Sequence, residues 1–594
     1  MLRTSSVLGF LLVIILVISC EPVPRNQLTT EAKVADMYWL YSQFENNYAP
    51  LHYKEALYGF NFAQLKATYL EAAKATKTNE DFFLLQHKFV ATFRDAHTGG
   101  SLTAASLPNR GKVAYLGFTG MRNGDSLYVK ELLPTTDNSA SKFPIQVGDR
   151  IIKLDGKDLK EVIDNELVSY RNLGNAESNY TMLMNKIFNR VSLNLPMPRN
   201  ETAVVTLIRM VNESDVELTY TLPWIIKDLY LFQTEQDRAK EKKADLDYVR
   251  IDRGNHDPLT LALTDFNGKV VSISDLMEKL DRSSEDYDFR KNFIFVDNIS
   301  QWTAASLDSY EIKTPLERLQ DARALPKDYV FIPTSSIYPS YVTSVTSGDT
   351  TKLVGYIYLD TFGPSGSAES VIDEFTGTLK QMQTLGVQGI VIDLINNGGG
   401  SLSLGMQLAQ ALSNKKIEAP EIQFVLSDSW FDEFEKESIN GNSDAEKELG
   451  HRALVRLEGD RTAGLNLSSK FNIETLMPFQ LVPNIAIKKN PKIVLMVNEM
   501  CASMCDIFSA VLQDNGMATI IGTKTMGAGG NVVNHYFAPN GHFMVRQTES
   551  LILRKDGSYI ENVGVKPDVD VPVVNSASTK YEDVQTKAFE LLLK

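Results

Sequence analysis

From Lys352 onward, short apolar runs alternate with helical patterns: KLVGYIYLDT, SAESVIDEFTGTLKQMQ, VQGIVIDL, SLSLGMQLAQAL, PKIVLMVN, SMCDIFSAVLQDNG and ATIIGT. A strand that is apolar on both sides needs cover on both faces, and helices between such strands supply it. Residues 351–580 are therefore expected to form a largely buried α/β sheet, and this is where chemistry should sit. The charged stretch 427–490 breaks the rhythm and reads as a loop-rich insertion, a candidate flap. Residues 581–594 read as a C-terminal helix.

A chain of 594 residues has room for further units ahead of that sheet. Between residues 31 and 105, apolar side chains recur at helical spacing (Val34, Met37, Tyr38, Tyr41; Phe82, Leu85, Phe89, Phe93), which predicts a small helical domain. It closes on ATFRDAHTGGSL, whose Gly99-Gly100 stop the last helix and leave His97 in the exit turn. Residues 112–226 read as short strands and turns: KVAYLGFTGM, SLYVKELLP, FPIQVGDRIIKLDGKDL, TAVVTLIRM and VELTYTLPW. Residues 227–350 carry no chemical motif and are expected to be a linker or insertion subdomain.

Lys and Arg number 60 against 74 Asp and Glu, a net charge of −14, so no global positive field draws the chain to nucleic acid. The first twenty residues, MLRTSSVLGFLLVIILVISC, carry one charge, Arg3, then an apolar run and Ser19-Cys20. Residues 1–19 read as an export signal. The ending VISC resembles a bacterial lipobox. That implies acylation of Cys20, a tether over 20–30, and a protein held in the bacterial cell envelope by its N-terminal lipid only. The remaining cysteines, Cys501 and Cys505, fall about one helical turn apart and are expected to be buried packing residues without a bridge. No cluster has metal-ligand spacing, so neither metal nor cofactor is expected.

Three stretches of the α/β region, GIVIDLINNGGGS (389–401), NEMCASMCDIF (498–508) and GSYIENVGVKPDVDV (557–571), resemble in this order the tail-specific (C-terminal processing) proteases and the tricorn-core serine peptidases. The segment 112–226, with YLGF at Tyr115–Phe118 and VGDRIIKLDGKDL, resembles a PDZ domain. The resemblance implies a multidomain α/β protein: an N-terminal helical domain, a PDZ-like β-rich domain and a crotonase/ClpP-like α/β protease core. It also implies a serine endopeptidase acting on peptides or unfolded protein tails through an acyl-enzyme.

Within that family the matching nucleophile is Ser503, in C-A-S-M-C-D where S-A-S-A-S-E is common. Gly399, Gly400 and Met504 fit the oxyanion position, where an amide N–H approaches the substrate carbonyl. Leu116, Gly117 and Phe118 match the PDZ loop that receives a peptide's terminal carboxylate. The tail-specific branch activates its serine with a lysine in T-F-G-K-G, but here Thr525-Met526-Gly527-Ala528-Gly529 puts Ala528 at that place. The tricorn-like branch uses histidine and glutamate instead. His97 in D-A-H-T-G-G and Glu561, ahead of Gly564-Val565-Lys566-Pro567-Asp568, match them. An imidazole with pKa near 6.5 accepts a hydroxyl proton near neutral pH, whereas an amine near 10.4 needs strong desolvation first. The rival bases are His535 and Lys524. The rival function is a non-catalytic binding protein on the same fold.

Overall fold

A computed structural model describes residues 27–102, 111–133, 143–228, 263–264, 270–271, 314–477, 480–485, 490–532, 535–573 and 581–593. The export signal, Cys20 and most of the expected linker lie outside the described residues.

Four helices, Thr30–Asn47, Leu51–Tyr58, Phe62–Ala75 and Asn79–Ala91, open the fold. Thr29, Asn61 and Thr78 cap three of them with side-chain oxygens, Thr78 in a reciprocal box with Asp81. Their aromatic core, with Phe44, Phe89 and Phe93 fully buried, is completed from far away by Ala538, Phe543 and Val545. The strand Gly99–Leu102, just after the last helix, pairs antiparallel with Phe543–Arg546. Gly100 permits this pairing, because a Cβ there would stand 2.2 Å from the Phe543 ring.

Residues 118–223 form the second unit. Its sheet runs in the order Phe118–Asn123, Ser126–Leu132, Arg150–Leu154, Thr202–Val211, Ser214–Pro223, with Phe118–Asn123 at an edge. Lys112–Tyr115 lies in a separate three-stranded sheet with Ile225–Asp228 and Asn189–Val191.

The third unit is a seven-stranded sheet in the order Tyr329–Phe331, Ser340–Ser347, Thr350–Tyr358, Gly389–Asp393, Lys492–Val497, Ala518–Gly522, Val569–Asp570. Pairing is antiparallel among the first three strands and parallel from Thr350–Tyr358 onward. Period-two alternation divides the side chains between two cores. Ile390, Ile392, Ile493 and Leu495 enter the core beneath helices Ala368–Thr384, Leu402–Ala411 and Met504–Asp514. Val391, Val494 and Met496 enter the other, under Glu582–Leu593 and Pro315–Ala322.

Two expectations need correction. The sheet starts before residue 351: Tyr329–Phe331 and Ser340–Ser347 belong to it, so the end of the supposed linker is part of the core. These strands are short or half-polar at the sheet margin, which hides them from a reading that seeks continuous apolar runs. The stretch 427–490 is not mainly loop. It holds helices Asp428–Asn440 and Asp444–Thr462, which bury Trp430, Phe434, Leu449, Ala453 and Leu457 in the main core. The charges that suggested a loop lie on the solvent faces of these helices.

Candidate active site

Ser503 precedes helix Met504–Asp514 with backbone φ 57° and ψ −123°, a left-handed conformation that a non-glycine residue keeps only when its surroundings impose it. Several contacts impose it here. Ala502 donates its N–H to Asn397 O (3.1 Å), Cys501 to Asn498 O (2.9 Å) and Cys505 to Ala502 O (3.0 Å). The fully buried Asp506 carboxylate accepts the N–H groups of Gly527 (3.0 Å) and Ala528 (2.9 Å), and also bonds the Ser503 N–H and the Thr525 hydroxyl. Burial raises the Asp506 pKa to about 6 against the pull of these donors.

Gly399 presses directly on this turn. A Cβ at its φ of 97° would stand 2.6 Å from Ser503 Cβ and 2.8 Å from Met504 N. Its own N–H is donated to Asn397 Oδ1 (2.8 Å), which takes Gly399 out of the expected oxyanion donors and leaves Gly400 as the glycine candidate. Met504 opens the helix, where unpaired N–H groups and the helix dipole favour developing negative charge.

Cys501 and Cys505 are joined by a disulfide, contrary to the expectation of unbridged packing thiols. That expectation put both on one helix. The helix begins only at Met504, and the reversal at Ser503 brings the two Cα atoms to 5.2 Å, inside the range a disulfide spans.

The turn carrying His97 comes from the helical unit. Ala96, the residue before it, packs in one small apolar cluster with Ala502, the residue before Ser503, and with Ala528, the position of the family lysine. Lys524 is exposed. Burial lowers the His97 pKa to about 4, with Asp95 pulling it upward and Arg546 and Lys54 adding to the depression, so the ring is neutral at physiological pH. Its Nδ1 is buried with no hydrogen-bond partner among the described residues.

Asp95 fixes this turn. Oδ1 accepts from the N–H of His97 (2.8 Å) and Thr98 (3.1 Å), and Oδ2 from the hydroxyls of Tyr48 (2.8 Å) and Thr548 (2.8 Å). Burial alone would raise its pKa, but Lys54, His97 and these hydroxyls together hold it below the usual carboxylate value.

Glu561 is fully buried and paired with a residue that sequence reading missed. Lys54, on helix Leu51–Tyr58, is also fully buried, and its Nζ lies 2.5 Å from Glu561 Oε1 and 4.0 Å from Asp95 Oδ2. The ammonium also donates to Arg94 O (3.1 Å) and to Asn562 Oδ1. Glu561 Oε2 accepts the Gly529 N–H (3.2 Å). Burial, reinforced by Asp95, pushes the Glu561 carboxyl up to about 7 against the attraction of Lys54. Nothing in the sequence flagged Lys54, since a lone lysine in a helix usually faces solvent.

The PDZ loop is committed internally. Leu116 is removed from the carboxylate-binding set, because its N–H is donated to Phe188 O (3.2 Å). Phe118 is wholly buried and packs on Phe188. Gly117 has φ 89°. On the strand edge, Gly120 N–H donates to Asn185 Oδ1 (3.2 Å), and Phe118 O accepts from Asn189 Nδ2 (3.2 Å). A peptide adding a strand there would have to displace both asparagines.

The family model described as "Peptidase family S41" matches residues 353–571, and that described as "PDZ domain" matches residues 105–171. A protein of Chlamydia trachomatis is 24% identical over 593 residues, covering 93% of this chain and 90% of its own length. A Chlamydia muridarum protein is 31% identical over 207 residues, but this chain spans only 34% of it. The carboxyl-terminal-processing protease of Synechocystis is 23% identical over 279 residues, 46% of this chain and 52% of that protein. Among solved structures, mature CPAF complexed with lactacystin superposes with a TM-score of 0.62 at 19% identity, covering 95% of this chain and 97% of that one. That likeness extends over all three units of the fold. The chain thus carries a peptidase family S41 domain behind a PDZ domain and is a serine-type peptidase.

Proposed function

We propose that the protein is an exported, lipid-anchored serine endopeptidase that cleaves peptides or unfolded protein tails by way of an acyl-enzyme, with Ser503 as nucleophile and His97 as base. One observation carries this reading. Ala502 and Ala96, the residues before Ser503 and His97, fall in one small buried apolar cluster, in which Ala528 stands at the position of the alternative lysine.

In the mechanism, neutral His97 takes the Ser503 proton as the hydroxyl attacks the peptide carbonyl. The oxyanion is held by the N–H groups of Gly400 and Met504, with Gly399 admitting the carbonyl by its lack of a Cβ. His97 then hands its proton to the leaving amine, and water repeats the sequence on the ester. The imidazolium forms beside a buried group of two carboxylates and one ammonium, Asp95, Glu561 and Lys54. With both carboxylates ionised, the group carries one net negative charge before the proton moves and becomes neutral with His97 after it. Glu561 makes no direct bond to the His97 ring, but a carboxylate has about four acceptor positions, so Glu561 can serve His97 through water while holding Lys54 and Gly529.

The N-terminal segment supports attachment through Cys20, and the two cysteines at the nucleophile suit a compartment that permits disulfides. In the PDZ domain, Gly117 and Phe118 remain the candidates for a peptide terminus.

Reaction with a fluorophosphonate tests the assignment. Wild type should be labelled at Ser503, Ser503→Ala should not, and His97→Ala should react at least a hundredfold more slowly, while Lys524→Ala matches wild type. Folded wild-type protein that takes no label would favour a binding function instead.

A further inference from the structure

The disulfide encircles the proposed nucleophile: Cys501 lies two residues before Ser503 and Cys505 two residues after it. Apart from Cys20, these are the chain's only cysteines. Both replace serines of the common S-A-S-A-S-E pattern, so the chain departs from that pattern as a matched pair. Both are wholly buried, and their surroundings are fixed. Met526 N–H donates to Cys501 O (2.9 Å), Cys501 Sγ lies 3.9 Å from Ser509 Oγ, and Cys505 Sγ lies 3.9 Å from Leu394 O.

We infer that the Cys501–Cys505 bond is an activity latch, which sets Ser503 in its attacking conformation only where the two thiols have been oxidised. This rests on the assignment of Ser503 as nucleophile. Two thiols cannot sit at covalent distance, and this site is closely packed. When the bond is absent, one or both sulfurs must move, and the three residues between the cysteines move too. Ser503 occupies a left-handed conformation that costs about 1–3 kcal/mol, so two unbonded sulfurs crowding this packed turn, bulkier than the paired serines of the common pattern, push it toward ordinary backbone. A shift of about 1 Å at a nucleophile is enough to lower turnover by about a hundredfold.

The chemistry balances with a disulfide oxidant, a small-molecule or protein disulfide of an oxidising compartment. The thiols of Cys501 and Cys505 lose two protons and two electrons as the S–S bond forms, and the oxidant's disulfide is reduced to two thiols. Because the sulfurs are buried, the bond is made during folding and stays protected afterwards. A chain that folds among reducing thiols would hold its serine out of line, and one that folds after export would not.

The latch can be tested on the full-length protein refolded in a dithiol buffer or in a disulfide buffer of otherwise equal composition. Alkylation and mass measurement count free cysteines, and circular dichroism verifies folding. The oxidised form should have two cysteines protected and react with fluorophosphonate at Ser503. The reduced form should react at least tenfold more slowly, with its KM for a peptide substrate little changed. The double variant Cys501→Ser, Cys505→Ser restores the common pattern and should react at the oxidised wild-type rate in both buffers. Equal labelling of the two wild-type forms, or failure of the bond to form, overturns the latch. If the folded oxidised form takes no label, the nucleophile assignment itself fails, and the latch falls with it.

Discussion

At the scale of single residues, the candidate site depends on side chains whose partners lie hundreds of positions away. Lys54 shows the cost of losing one. It faces Glu561 and Asp95 in a place closed to water, so Lys54→Met leaves two buried carboxylates without their counter-charge. We expect about 3–5 kcal/mol of destabilisation in denaturant titrations, and less than the sum of the single effects in Lys54→Met, Glu561→Gln. The pH profile should change as well. Lys54 lowers the pKa of both His97 and Glu561, so its removal moves both upward, and the acidic limb of kcat/KM shifts to higher pH. A limb that stays in place would dissociate Lys54 from the chemistry. Gly399→Ala is the second residue-scale case. Its Cβ would press on Ser503 and Met504 at a φ alanine avoids, and kcat should fall about a hundredfold while the protein still folds. His97, Ser503 and Glu561 were legible as motif positions. Lys54 was not, because burial of a lysine is decided by what packs around it.

At the scale of elements, the alternation of apolar runs was enough to foresee a largely buried α/β sheet, because a strand apolar on both sides needs cover on both faces. The helices of 427–490 were obscured by their charged faces, and the disulfide by the assumption that Cys501 already belonged to a helix. The start of that helix is fixed by Asp506, which joins it to the 525–529 loop through Gly527 and Ala528. An asparagine here brings an NH2 group among donors and leaves at least one of them unmatched. Asp506→Asn should therefore lose about 1–3 kcal/mol of stability, seen as a lower urea midpoint, together with a slower reaction of Ser503 with fluorophosphonate. Unchanged labelling in the weakened protein would show that the loop grips the helix without governing the serine.

At the scale of the whole molecule, two placements matter. The first is attachment: Cys20→Ala should abolish incorporation of a fatty-acid analogue and release the protein from washed membranes. Retention of the variant in the membrane fraction would point to an uncleaved anchor. The second is the return of the helical unit onto the core. The strand Gly99–Leu102 pairs with Phe543–Arg546, and Asp95 accepts from Thr548 across 453 positions. Period and motif order, both local properties, sufficed for the sequence to indicate a buried α/β sheet, a PDZ segment and the reactive candidates, though not the two strands before residue 351. Tertiary structure alone decided that Lys54 meets Glu561, that the edge of the PDZ sheet is filled by its own asparagines, and that Cys501 and Cys505 bond. Each of these depends on distances between distant segments, which are fixed only once the cores have packed.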